Sequence, residues 1–334
     1  MKSIELSAEE QRVMNGLDAQ AAQLGLNVDF PYLTHILADI SRQKFTKIAL
    51  TDYAPVSVGE GAWAPAYVKN LSIGSGDSFE SGFISTGADA TRLAEVKAQM
   101  GTMSFPIRVW AKKASWDIPS IKKSALAKYD IVAETEFQRK KNWDLGNQKI
   151  FFVGDTEQGL GGLLTNDKVT VNTSIIGSEQ GFSGMDESEY QVAIGKIMTA
   201  YDMNCNYTAI PDRFVIPAWD YTGMASAASS TFPMITKLEY LNNMFKQQTG
   251  RDDFKILKCP YASKGFAGLA KSTWALYESD PSALRYMIPV QYTSTLYNSV
   301  DNFFFQSVAY GEVGGMHIYY PNQVLYLQST NSAY

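Results

Sequence analysis

From Asp117 to Asp144 the chain carries no glycine and a single proline, Pro119, at its very start. Over that stretch Ile118, Ile121, Ala125, Tyr129, Val132 and Phe137 approximate one face of a helix. The start signals agree. Asp117 can accept from the first free amides, and Pro119 lies in the first turn, where its missing N–H costs little. About 27 residues at ~1.5 Å each make a rod of roughly 40 Å. The spacing predicts a helix over about 117–146, the most strongly specified element in the sequence.

Upstream, the chain lacks the means to hold itself together. Ser7-Ala8-Glu9-Glu10 fits a capping box, and Val13, Met14, Leu17, Ala21 and Leu24 then share a helical face that Gly25 ends. Leu33, Ile36, Leu37 and Ile40 repeat the pattern after Pro31. Neither piece is long enough to be stable alone in water, so each must dock on something. That something is either another molecule or the chain's own domain. Between residues 50 and 100, Gly59, Gly61, Gly74, Gly76, Gly82 and Gly87 punctuate short strand-like runs such as Ala66–Leu71. Lys47–Leu50 reads as another such run. Turn residues at that density describe long loops or an extended hairpin. Gly59-Glu60-Gly61 is followed by Ala-Trp-Ala-Pro, which cannot open the helix that a phosphate-cradling loop requires.

Downstream, Phe105–Ala111 reads as a strand and Asn147–Val153 as a buried strand or turn. Gly154-Asp155 and the run Gly159–Leu164 form a glycine-punctuated loop. A helix begins near Glu187, Arg213–Pro217 is a buried strand, and helices are expected at 220–228 and 235–248. Phe254–Leu257 and Thr273–Tyr277 read as strands, and the tail from Phe303 to Leu327 is nearly all strand. The fold class is α+β.

The chemistry of catalysis is sparse. There are two histidines, His35 and His317, in separate segments, each read as a packing residue. No Cys-x-x-Cys, His-Glu-x-x-His, Walker lysine or Gly-x-Ser-x-Gly elbow occurs, so no catalytic, metal or cofactor residue is assigned. Cys205 and Cys259 read as two buried thiols. No run reaches the ~18 apolar residues of a membrane span, and Met1–Glu5 lacks a secretory apolar stretch, so a soluble cytoplasmic product is expected. Charged residues make up only 19% of the chain against 13% aromatic, a balance that suits a surface meeting other protein. The net charge of 29 − 34 = −5 argues against a dedicated nucleic-acid binder. Within 108–149, however, ten basic residues face five acidic ones, a local excess of 10 − 5 = +5. That excess is either a solvated helix face or a surface for loose contact with phosphate.

In their order, these elements resemble the major capsid proteins of tailed bacteriophages, the Hong Kong 97-like fold. The likeness rests on the long helix, on Ile150-Phe151-Phe152-Val153-Gly154-Asp155, and on Gly159-Leu160-Gly161-Gly162-Leu163-Leu164-Thr165-Asn166. Arg213–Pro217 and Val313-Gly314-Gly315-Met316-His317-Ile318 before Pro321 complete it. The resemblance implies an N-terminal arm at 1–49 and an extended loop at 50–100. It implies a peripheral domain from 101–187 and 300–334, with the spine helix at about 117–146, and an axial domain at 188–299. It implies a subunit of an icosahedral shell around a double-stranded DNA genome, with no enzymatic role and no cofactor. The implied partners are copies of itself in hexamers and pentamers, scaffold, portal and decoration proteins, and packaged DNA, with no membrane. Carried onto this sequence, Lys122, Lys123, Lys128, Arg139, Lys140 and Lys141 would face the genome. Gly59, Gly61, Trp63, Tyr67 and Lys69 would make extended-loop contacts between subunits. Some relatives crosslink a loop lysine to a neighbour's asparagine; Lys69 is the only lysine between 48 and 96 and nothing marks a catalytic acid for it, so no crosslink is expected. An encapsulin-type compartment shell and an unrecognised enzyme are the alternative readings.

Overall fold

A computed structural model of the chain describes residues 45–75, 97–126, 130–177, 181–227, 234–296, 298–299, 301 and 303–331. The arm helices, His35, residues 76–96 of the glycine-rich segment and Lys128 lie outside the described residues. In chain order come β1 (Val56–Val58), β2 (Ala66–Ser75), β3 (Lys97–Pro106), β4 (Arg108–Asp117), α1 (Ile118–Leu126) and α2 (Ile131–Phe152). Next are β5 (Thr170–Asn172), α3 (Glu187–Cys205), β6 (Arg213–Pro217), α4 (Ala218–Gly223) and α5 (Lys237–Thr249). The last strands are β7 (Lys255–Cys259), β8 (Thr273–Tyr277), β9 (Leu284–Ile288), β10 (Val290–Ser294), β11 (Asn298–Ser299), β12 (Phe304–Val313), β13 (Gly315–Ile318) and β14 (Val324–Gln328). The chain divides into two compact units. One contains Ala114–Phe137 and Tyr297–Gln306; the other contains Thr46–Lys113, Gln138–Leu296 and Ser307–Tyr334.

In the first unit, α1 starts where the sequence places it. Ser120 hydrogen-bonds the Asp117 carboxylate and holds it below the usual carboxylate range. The rod expected over 117–146 is instead two helices, because α2 has a cap of its own. Asp130 Oδ1 accepts the N–H groups of Val132 and Ala133 at 2.9 and 3.2 Å, so the helical ladder begins afresh at Ile131. Trp116 is buried, and its Nε1–H donates to Thr135 Oγ1 at 3.3 Å. At its far end α2 runs on to Phe152, through the stretch read as a buried strand or turn.

The second unit is built on a five-stranded sheet of order β5-β14-β8-β6-β7. Alternate residues of its central strands serve two apolar cores. Val215, Ala275, Tyr277, Val324 and Tyr326 pack in one core with Phe151 and Phe152 of α2. Phe214, Ile216, Trp274, Leu276, Leu325 and Leu327 pack in the other with Ile194 and Ile197 of α3 and Leu241 and Phe245 of α5. Burial on both faces is why Arg213–Pro217 and Thr273–Tyr277 read as continuous apolar runs instead of alternating ones. Each large side chain so buried contributes about 1.5–3 kcal/mol relative to exposure.

The second unit also holds the sheet β1-β9-β13 and the antiparallel pairing of β10 with β12 from Val290↔Glu312 to Ser294↔Ala309, while in the first unit β11 pairs with Phe305 and Gln306. The hairpin β2-β3 pairs in register from Ala66↔Pro106 to Ser75↔Lys97. The strand expected over 105–111 is divided at Ile107, which is buried between β3 and β4. Lys47–Leu50 does not form a strand; Leu50–Asp52 is a single 3-10 turn, closed by Tyr53 N–H donating to Leu50 O at 3.1 Å.

Candidate assembly surfaces

The Gly-Asp and Gly-Leu motifs close the end of α2. The carbonyls of Phe151 and Phe152, orphans at a helix terminus, accept from Leu163 and Leu164 N–H at 2.8 and 2.9 Å. Asp155 and Leu160 exchange backbone hydrogen bonds at 2.9 Å, and the Asp155 side chain accepts from Glu157 N–H at 3.1 Å. The two chain segments approach so closely that a Cβ on Gly162 would lie 2.4 Å from the Val153 carbonyl carbon. Only glycine fits there.

The inner face of α2 is the spaced set Arg139, Trp143, Asn147 and Phe151, all buried. Trp143 lies over Gly311, where a Cβ would come within 2.4 Å of the indole. Tyr286 donates its hydroxyl to Asn147 Oδ1 at 3.0 Å. Arg139 is only 5% exposed and is used inside the subunit: its guanidinium donates to Ser307 O at 3.0 Å, Ser307 Oγ at 3.2 Å and Ser294 Oγ at 3.3 Å. The structure therefore removes Arg139 from the basic residues expected to face a genome. Of that set, Lys122, Lys123 and Lys140 are exposed and Lys141 is half-buried.

The residues expected to make extended-loop contacts separate into two groups. Tyr67 and Lys69 pin the root of the hairpin to its own subunit. His317 stacks on Phe105 with centroids 4.0 Å apart and lies 5.6 Å from the Tyr67 ring. Lys69 Nζ sits 3.4 Å from the centre of the Tyr319 ring and donates to Ser282 O at 3.2 Å. Burial, and after it the Arg285 charge, lowers the Lys69 pKa. His317 is buried, and burial depresses its pKa to about 4. Its Nε2 lies 3.0 Å from Gly314 O, so it is a packing residue. Gly59, Gly61 and Trp63 instead form an exposed turn, all three with positive φ.

Sequence reasoning gave no role to three buried acids, Asp212, Asp220 and Glu312. Asp220 is fully buried; its Oδ1 accepts from Ser183 N–H at 2.8 Å, and its Oδ2 from Trp274 Nε1–H at 2.7 Å and Phe182 N–H at 3.2 Å. Glu312, 1% exposed, accepts Trp63 N–H at 2.9 Å. For Asp220 and Glu312 the available signal was a lone acid inside an otherwise apolar strand or helix start. Both cysteines are buried and unbridged. Among the described residues, no cluster of His, Cys, Asp or Glu could hold a metal ion, and no helix is long and apolar enough to cross a membrane.

The profile of the family described as "Major capsid protein" matches residues 81–329, well over half of the chain. The chain belongs to the major capsid protein family. Its structure superposes on the capsid of Myoviridae phage XM1 with a TM-score of 0.73 at 18% identity, covering 91% of this chain and 99% of that one. The capsid of a native GTA particle gives 0.60 at 14% identity, covering 90% and 96%. The capsid of cyanophage P-SCSP1u gives 0.55 at 10% identity, covering 90% and 94%. The shared fold is the Hong Kong 97-like fold of tailed-phage capsid proteins, so the chain is a structural protein of a virion shell that associates with itself. No curated protein sequence matches it.

Proposed function

We propose that copies of this chain, arranged as hexamers and pentamers, close into the icosahedral shell that holds the double-stranded DNA genome of a tailed bacteriophage. The observation that carries the reading is the family match over residues 81–329, joined to a fold shared along nearly the whole length of a phage capsid protein. In this shell residues 1–49 are the arm, 50–100 the extended loop, 101–187 with 300–334 the peripheral domain and 188–299 the axial domain. Assembly takes place in the host cytoplasm, with scaffold, portal and decoration proteins as further partners. Negative-stain microscopy of the purified full chain tests the reading: closed shells are expected, and discrete small oligomers at every concentration would overturn it. Nucleic acid inside native particles is expected as well; particles filled with protein cargo would indicate a compartment.

The exposed lysines Lys122, Lys123 and Lys140, with Lys141 and Lys128, supply loose electrostatic contact with the packaged DNA. Reversing Lys122, Lys123 and Lys140 to Glu is expected to lower genome retention while empty shells stay intact. Unchanged retention would remove the assignment. Lys69 stays uncrosslinked, in keeping with its amine lying over its own Tyr319. Shells boiled in detergent should run as monomers, and ladders would reverse this.

A further inference from the structure

Resting on the shell reading, we propose that Trp63 is the anchor of a contact between copies of this chain, and that Glu312 is the positioning residue that holds it ready. Trp63 has φ of 65°, in the left-handed region, and is 67% exposed. For a bulky residue that backbone is an outlier that persists only where its surroundings impose it. Here they do. Gly59 N–H donates to Ile288 O at 3.1 Å, the Glu60 carboxylate pairs with Arg285 at 3.1 Å, and Ala64 N–H donates to Gly61 O at 3.1 Å. The last tie is the least expected. The Glu312 carboxylate, withdrawn from water to 1% exposure, accepts the N–H of Trp63 itself at 2.9 Å.

A buried carboxylate is costly and is ordinarily matched by what it holds inside the protein. This one holds a backbone whose indole stays mostly in water, 5.9 Å from the Tyr310 ring. The loop spends strain and a desolvated acid to fix the direction of an exposed Trp. That is the arrangement of a preorganised hot spot: the ordering cost is met before binding, and Trp is among the residues that dominate interfaces. The occupant is a second copy. In a shell of identical subunits each knob meets a complementary patch of the same chain, so one preset Trp is repeated at every equivalent contact.

The test uses full-length subunits and two readouts: the urea midpoint of unassembled chains and the concentration at which shells form. Trp63→Gly removes the indole and suits φ of 65°, so its midpoint should stay at or above wild type. Its critical concentration should rise about tenfold or more, as for loss of a hot spot. Glu312→Ala should raise the critical concentration too, and Glu312→Gln, which can still accept the N–H, should restore it. If Trp63→Gly forms shells at the wild-type concentration, or loses stability along with assembly, the proposal is overturned. Wild-type chains that form no shells would overturn the parent reading instead, and the two failures are told apart by the wild-type control.

Discussion

Removing the Asp220 carboxylate should be among the most damaging single changes in the second unit. The acid is wholly buried and accepts from Phe182 N–H, Ser183 N–H and Trp274 Nε1–H. Lys237 grips the same loop from its carbonyl side, donating to Ser183 O at 3.1 Å and Met185 O at 2.7 Å. Asp220→Ala orphans the Phe182 and Trp274 donors deep in the core and the Ser183 donor at its edge. At ~1–3 kcal/mol for each buried donor left without a partner, the two core donors alone give about 2–6 kcal/mol. Asp220→Asn is milder. With its oxygen turned toward Phe182 and Trp274, only Ser183 N–H faces the amide nitrogen, so the cost is about 1–3 kcal/mol. Burial raises the Asp220 pKa, so the neutral amide also relieves a desolvated charge. Urea unfolding of unassembled subunits, followed by tryptophan emission, gives both values. An Asp220→Ala midpoint indistinguishable from wild type, or Asn costing more than Ala, would refute the donor count.

Other outcomes follow from the same packing. His317 has its pKa depressed to about 4 against an ordinary 6.5, so the unfolded chain binds the proton more tightly. The His317 contribution to stability should be constant above pH 6.5, fall as pH drops from 6.5 to about 4, and level off below, by roughly 3 kcal/mol in all. A His317→Gln variant should lack that component in urea titrations across the range. Gly162→Ala would press a methyl into the Val153–Gly154 backbone, which cannot yield as a side chain can, and should cost ~1–3 kcal/mol or more in thermal unfolding. Lys69→Ala should lose about 0.5–1 kcal/mol of cation–π attraction and lower hydrogen-exchange protection near Tyr67, leaving the five-stranded sheet unaffected.

The strands buried on both faces were legible because apolar runs closed by proline or polar residues survive in any context: β6 and β8 fall on the residues read as strands. The start of α1 was legible for the same local reason, a capping acid followed by proline. The break before α2 was hidden, since Asp130 on a charged helix face looks like any solvated acid until its carboxylate is seen capping Val132. The extension of α2 to Phe152 was hidden too. Its inner face is Arg139, Asn147 and Gln148 as well as aromatics, and buried polar residues carry no hydrophobic period. β9 and β10 were missed because their pairing with β13 and β12 is long-range and no local turn signal announces it. At the candidate surfaces, the residue types were visible but their direction was not. Lys69 and Arg139 turn inward while Trp63 turns outward, and only tertiary neighbours decide that.

The five-stranded sheet has a consequence for fidelity. Along β8, Trp274 and Leu276 fill one core while Ala275 and Tyr277 fill the other. A slip of one residue would send the bulky indole to the side shaped for a methyl and leave a void behind it, spoiling both compartments at once. A misaligned chain would therefore lose both cores together and could not compete with the native register, which keeps the subunits offered to the shell alike.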